Sequence, residues 1–276
     1  MHSLLRCLRF CLVTTVCAGA IIWTYLHVAP IAQAQSEHTA QRSTQIDEAA
    51  LSNQVQALLA QNSDLDMSVS IGDLQTNKTY HWGDSAGYTA ASLGKIITAA
   101  AYLHLTESGQ ASLDDTIDGV TSREQLTKLI KESDNDAWMA LNQAITLDGL
   151  QQYAKTLGLA NYDPQENSMT SDQITQVCAK LYKGALLGAA DTSLLLSLMK
   201  NANMRDYIVA AIPSGTTVYH KVGYLDDRLN ETAIITRDNH SYVLTIFTKA
   251  PDSYDFSRGT DLFTSLTRSS LKAFFP

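Results

Sequence analysis

Ser92-Leu93-Gly94-Lys95 places a hydroxyl and an amine three residues apart at the start of an apolar-periodic stretch. Leu93, Ile96, Ile97, Ala100 and Ala101 mark that stretch, Ser92 to Leu105, as a helix. Residues three apart share a helix face, so the lysine nitrogen can reach the serine hydroxyl. First-turn N–H groups also favour negative charge developing nearby. The same Ser-x-x-Lys spacing recurs at Ser197/Lys200 and Ser269/Lys272, but late in amphipathic helices, where a lysine merely complements the helix dipole. Only Ser92 is followed by Ser133-Asp134-Asn135 and then by Lys221-Val222-Gly223. Each motif has an ordinary reading: a helix cap, a polar turn, and a surface lysine before a turn glycine. Their joint occurrence in this order points instead to one site holding a nucleophile, a base, a hydroxyl relay and a cation.

Around these motifs the chain reads as helix, strands, helices, strands, helix. A helix is expected over Ile46–Leu59, a strand over Met67–Ile71, and a second strand near Thr79–Trp82. Residues from about 112 to 203 carry helical patterns, two of them opened by the capping boxes Thr121–Glu124 and Thr170–Gln173. Strand signals return at Thr216–Val222, Thr232–Thr236 and Tyr242–Thr248, before an amphipathic helix over Gly259–Phe274. This order predicts an α+β fold. A largely antiparallel sheet is flanked by N- and C-terminal helices and carries an inserted all-helical subdomain. The three motifs would meet in the cleft between the two parts.

The 276 residues suffice for one large, well-buried domain, and 45% hydrophobic with 17% charged residues is ordinary globular composition. A formal charge of −8 argues against nucleic acid as a partner. Residues 1–34 read as an export segment: Arg6 and Arg9 precede the apolar run 10–28, and Ala32-Gln33-Ala34 offers a cleavage site. Uncleaved, residues 10–28 could tether the protein to a membrane. Either outcome makes the protein extracytoplasmic, secreted or periplasmic in one case and membrane-anchored in the other. Residues 35–45 are a polar linker, and the domain proper is expected over 46–276. Cys178, alone beyond the export segment, sits on an apolar helix face and reads as a buried hydrophobe. No metal-ligand spacing appears, and no cofactor is expected.

Over roughly residues 46–276 the chain resembles class A β-lactamase-like serine hydrolases, a superfamily that includes D-alanyl-D-alanine peptidases. Thr89-Ala90-Ala91-Ser92-Leu93-Gly94-Lys95 is similar to the family's nucleophile segment, and Lys131-Glu132-Ser133-Asp134-Asn135-Asp136-Ala137 to its relay segment. The resemblance implies Ser92 as acylated nucleophile, Lys95 as base, Ser133 and Asn135 as relay and orienting groups, and Lys221 as anion-binding cation. It implies an oxyanion hole from the N–H groups of Ser92 and Tyr224, with Gly223 allowing close approach of substrate. The implied substrates are β-lactams or peptidoglycan peptides ending in D-alanine.

Two departures modify this expectation. Val222 stands where the family usually has Thr or Ser, so Arg228 or Asn230 is expected to supply the missing carboxylate contact. The stretch Leu157–Met169 is short and lacks the family's usual Arg/Trp-Glu run before its water-activating glutamate. Asp163 and Glu166 lie there, with nothing in the sequence to fix either over Ser92. Acylation with slow deacylation is therefore expected. The alternatives are an esterase or amidase on the same scaffold, or a non-catalytic cell-wall-binding module.

Overall fold

A computed structural model describes residues 46–159 and 162–276. The export and linker readings for residues 1–45 lie outside the described residues. Among the described residues, eight α-helices and a five-stranded antiparallel sheet make up the fold. The strands are β1 (Asp66–Asp73), β2 (Thr79–Gly83), β3 (Thr217–Leu225), β4 (Arg228–Arg237) and β5 (His240–Lys249), in the order β2-β1-β5-β4-β3. Every neighbouring pair is antiparallel. The α+β reading therefore stands, and each expected strand is present, longer by a few residues.

The first helix, α1 (Glu48–Gln61), and the last, α8 (Phe256–Phe274), pack together on one face of the sheet. Asp255 caps α8 by accepting the N–H groups of Ser257 and Arg258, and Arg258 reaches back to Asp64 with two 2.6 Å contacts. The chain therefore returns to its starting edge. The intervening helices are α2 (Gly94–Glu107), α3 (Ser122–Thr127), α4 (Asn135–Ile145), α5 (Leu147–Thr156), α6 (Ser171–Tyr182) and α7 (Ala189–Lys200). Two-residue strand pieces at 88–89 and 168–169 pair with each other, as do those at 116–117 and 120–121. These are too short to leave an alternating pattern in sequence.

Helix α6 lies on the sheet itself, against β1, β4 and β5, rather than within a separate helical body. A buried polar seam explains how it sits there. Ser68 and Ser171 share a 2.8 Å hydrogen bond, Thr175 donates to Thr245, and Thr245 in turn pairs with Thr232 at 2.8 Å. Small hydroxyl side chains let helix and sheet approach closely while satisfying one another. Cys178 joins the seam through Thr232, and burial pushes its thiol up to about 12, far from a reactive thiolate. Pure apolar packing continues in α2, where Ile96, Ile97, Ala100 and Leu103 are fully buried.

The two predicted capping boxes differ. Thr170 and Gln173 form the reciprocal pair at the start of α6. Thr121 accepts the Glu124 N–H, whereas the Glu124 carboxylate turns outward to Lys128 at 3.1 Å. Losing an N-cap hydroxyl costs about 1 kcal/mol. Thr170→Ala should therefore lower unfolding free energy by about that amount in urea denaturation, with an unchanged slope against denaturant.

Candidate active site

Ser92 lies in a 3₁₀ turn, Ala91–Leu93, that runs directly into α2. Its hydroxyl caps nothing: neither the turn nor the helix has a side-chain cap bond, so the simple N-cap reading does not describe it. Ala91 holds φ at 50°, a left-handed conformation that costs a non-glycine residue of order 1 kcal/mol. Two asparagines offset that strain. Asn167 donates from Nδ2 to the Ala91 carbonyl at 2.8 Å while its own carbonyl accepts the Ala90 N–H at 2.8 Å. Asn230 donates to the Thr89 carbonyl at 3.1 Å.

Ser133 is likewise left-handed, with φ 61°, and ends the π-helical turn Lys128–Glu132 that follows α3. Asp134 then caps α4 by accepting the Ala137 N–H at 2.7 Å. The motif is thus both a helix-to-helix turn and a presenter of side chains. Lys95 Nζ donates to the Ser133 carbonyl at 2.6 Å and to Asn135 Oδ1 at 2.6 Å, and it lies 3.4 Å from Ser133 Oγ. From the sheet side, Lys221 Nζ donates to the same Ser133 Oγ at 2.7 Å and to the Val222 carbonyl at 3.1 Å. One hydroxyl therefore stands between two amines.

Both amines are buried, and burial disfavours their charged forms. Lys95 is drawn down to about 8 by burial, with Asp134 opposing the shift. Lys221 falls to about 7 through burial and then through the neighbouring Lys95 cation, with Glu231 opposing. Two amines this close release their protons as a coupled pair, so one can be neutral near neutral pH while the other is charged. The Trp138 ring lies 5.0 Å from Lys95 Nζ and favours its charged form. Trp138 Nε1 donates to Thr98, which donates to Asn142.

β3 is one of the two edge strands, with β4 on one side only, and Gly223 packs on the nucleophile turn. A Cβ on Gly223 would come within 2.7 Å of the Ser92 nitrogen and 2.9 Å of the Ala90 carbonyl. The glycine thus serves the contact between strand and helix rather than leaving open space for a ligand. Tyr224, next along, is half exposed and stacks edge-on with Phe256.

The structure therefore brings Ser92, Lys95, Ser133, Asn135, Lys221 and Gly223 together, with Tyr224 beside them, but not Arg228 or Asn230 as free groups. Arg228 sits at the far end of the β3–β4 hairpin and is held by both Asp227 oxygens, at 2.7 and 2.6 Å. Asn230 is fully buried, with both ends of its amide bonded, to Thr89 and to the Thr248 N–H. The expectation that either replaces the missing hydroxyl is corrected accordingly. Val222 is buried opposite Glu231, whose carboxylate bonds His220 at 2.8 Å and the Ile208 N–H at 2.7 Å.

Sequence reasoning missed Trp138 and Asn167. Trp138 follows Asn135 by three residues on one helix, so shared facing could have singled it out. Asn167 had only the preceding Asp163-Pro164 turn as a pointer. Asp163 accepts the Gln165 and Glu166 N–H groups with its carboxylate, and both Asp163 and Glu166 are exposed.

Residues 50–274 match the model of the beta-lactamase enzyme family. The chain belongs to that family. It is accordingly a serine hydrolase working through an acyl-enzyme. The fold is similar to that of PBP-A, with a TM-score of 0.75 at 19% identity, covering 81% of this chain and 95% of that one. A PBP-A mutant solved as an acyl-enzyme complex with penicillin G matches at 0.75 and 19%, covering 82% and 96%. The β-lactamase of Sphaerobacter thermophilus matches at 0.74 and 21%, covering 83% and 98%. No curated protein is significantly similar in sequence.

Two predictions follow from this geometry. Gly223→Ala should leave the protein folded but cut reaction at Ser92 by at least about 100-fold, as one misplaced donor or nucleophile does, read as covalent labelling rate beside a thermal melt. The lysines give stability a pH slope. Their folded values lie below the unfolded value near 10.4, so the unfolded chain binds more protons between about pH 7 and 10. Stability contributed by these groups should rise with pH across that window, and urea midpoints should show a shallower rise in Lys221→Met.

Proposed function

We propose that β-lactams or D-alanyl-peptide-like substrates acylate Ser92 and that the resulting acyl-enzyme is released slowly. The observation that carries this reading is the Ser133 hydroxyl, held between the buried Lys95 and Lys221 amines. In the proposed sequence, neutral Lys95 takes the Ser92 Oγ proton as the oxygen attacks the substrate carbonyl and a C–O bond forms. The Ser92 and Tyr224 N–H groups receive the developing oxyanion. The C–N bond then breaks, and Ser133 passes a proton from the amine pair to the leaving nitrogen. Asn135 orients Lys95, and Lys221 supplies positive charge beside the relay. The acylated PBP-A mutant supports penicillin as a probe of this chemistry. The export reading of residues 1–34 would bring the site to cell-wall peptides.

Slow release is supported by the surroundings of the serine. Among the described residues no carboxylate is hydrogen-bonded to Ser92, Lys95, Ser133, Asn135 or Lys221. The residue reaching this region from the Leu157–Met169 stretch is Asn167, whose amide is already bonded to Ala91 and Tyr162. Absence of an acid–base group slows a proton-transfer step by about 10²–10⁴-fold. A carboxylate-free ester or amide is a second reading, favoured by Val222, which has no hydroxyl to offer a substrate carboxylate.

Intact mass after incubation with penicillin G separates these readings. A mass increase equal to the drug should appear, persist for hours, and be absent in Ser92→Ala. A short-lived adduct with drug hydrolysis would overturn slow release, and no adduct would move the ester or amide reading ahead. Over pH, labelling should rise as the coupled Lys95–Lys221 pair loses its first proton, between about pH 7 and about pH 8.

A further inference from the structure

A cavity of about 730 Å³ opens beside the catalytic site but contains none of its residues. It lies between the chain leaving α7 and the start of β3. Its apolar wall is Val209, Ile212 and Val218. Two cations, Lys200 and Arg205, line it together with the amides of Asn201 and Asn203, and no carboxylate does. All four of these polar residues are exposed. Arg205 is steered by a 3.2 Å hydrogen bond to the Lys200 carbonyl, which turns its guanidinium back over the C-terminus of α7. Neither cation forms an ion pair within 4 Å among the described residues, in a protein whose formal charge is −8.

The cavity wall also holds an unsatisfied hydroxyl. Thr216 Oγ1, on the cavity wall, is buried and has no hydrogen-bond partner among the described residues. Buried hydroxyls are ordinarily paired, so this one is an unsatisfied polar group within the cavity wall. The volume lies in the range of small-molecule sites, and an apolar wall with a few convergent polar groups is their usual lining. The wall does not carry positive charge alone. Glu231 lies behind it, bonded to His220, and His220 Nε2 donates to the Ala202 carbonyl at 3.3 Å. Glu231 is fully buried and bonded to His220 and the Ile208 N–H, so it is not among the groups that line the cavity.

We propose that this cavity is a second binding site, separate from the catalytic cleft, for a small organic anion with an apolar body. The apolar part lies against Val209, Ile212 and Val218, and the anionic group meets Arg205 and Lys200. Two of its walls continue into the catalytic elements. Val218 stands three residues before Lys221 on β3, and the Asn203 N–H donates to the Lys131 carbonyl, two residues before Ser133.

The probe is 8-anilinonaphthalene-1-sulfonate, an aromatic anion of suitable size, titrated into the purified protein by fluorescence and calorimetry. One saturable site per chain is expected. Thr216→Trp, which fills the cavity, and Arg205→Ala, which removes an exposed cation without touching the core, should each weaken binding about ten-fold, the loss of one charge-assisted contact. Ser92→Ala, and protein acylated beforehand with penicillin, should bind as tightly as the unmodified protein. Absence of saturable binding, indifference to both cavity substitutions in folded protein, or loss of binding on acylation would each overturn the proposal.

Discussion

Two lysine amines buried around a single serine hydroxyl form the constraint on which the rest of the site depends. An ammonium group out of water is costly unless it is fully hydrogen-bonded. Lys95 meets that requirement with the Ser133 carbonyl, Asn135 Oδ1 and the face of Trp138. Lys221 does so with Ser133 Oγ and the Val222 carbonyl. Supplying those acceptors requires Ser133 in a left-handed conformation, Asp134 as a cap and Asn135 at the first position of α4. The local backbone of the second motif is thus dictated by the solvation of lysines from the first and third. Residual cost remains, as the depressed values of both amines record. That cost makes a lysine capable of base chemistry near neutral pH.

The nucleophile end depends on a different constraint, close approach of backbones. Gly223 leaves no room for a side chain between β3 and the turn carrying Ser92. Asn230 and Asn167 then hold that turn by its carbonyls, one from β4 and one from the segment before α6. Strain at Ala91 persists because three independent elements over-determine it. Helix α6 contributes to this indirectly. Its hydroxyl seam against β1, β4 and β5 fixes the sheet on which Lys221 and Asn230 ride.

The fold was legible because it rests on local signals: alternation in β1, strand runs in β3 to β5, helical periodicity after Ser92, and a capping box before α6. The meeting of Ser133 with Lys95 and Lys221 could be read only from the conjunction of the three motifs, since Ser133-Asp134-Asn135 alone reads as a polar turn. What stayed hidden depends on contacts distant in sequence. Asn230 looked like a ligand-binding amide because its polarity is local knowledge, while its partners, Thr89 and Thr248, are distant in the chain. Arg228 looked free because a pairing with the adjacent Asp227 leaves no periodic trace. Asn167 and Trp138 have side-chain types common in cores and turns, and only tertiary packing sets them against the nucleophile segment and Lys95.

The valine in the third motif makes sense only with what lies across the strand. Residue 222 faces Glu231, which is fully buried and already bonded to His220 and the Ile208 N–H. His220 Nε2 must carry a proton, because the Ala202 carbonyl it meets can only accept. Nδ1 and Glu231 then share the remaining proton, whichever of the two holds it. A hydroxyl at 222 would stand beside an acid whose hydrogen bonds are largely committed, whereas valine adds no further polar group to be satisfied there. The valine is therefore of a piece with the buried pair behind it. Position 222 serves packing, and the brace formed by His220 and Glu231 helps hold β3, and with it Lys221, against Ser133.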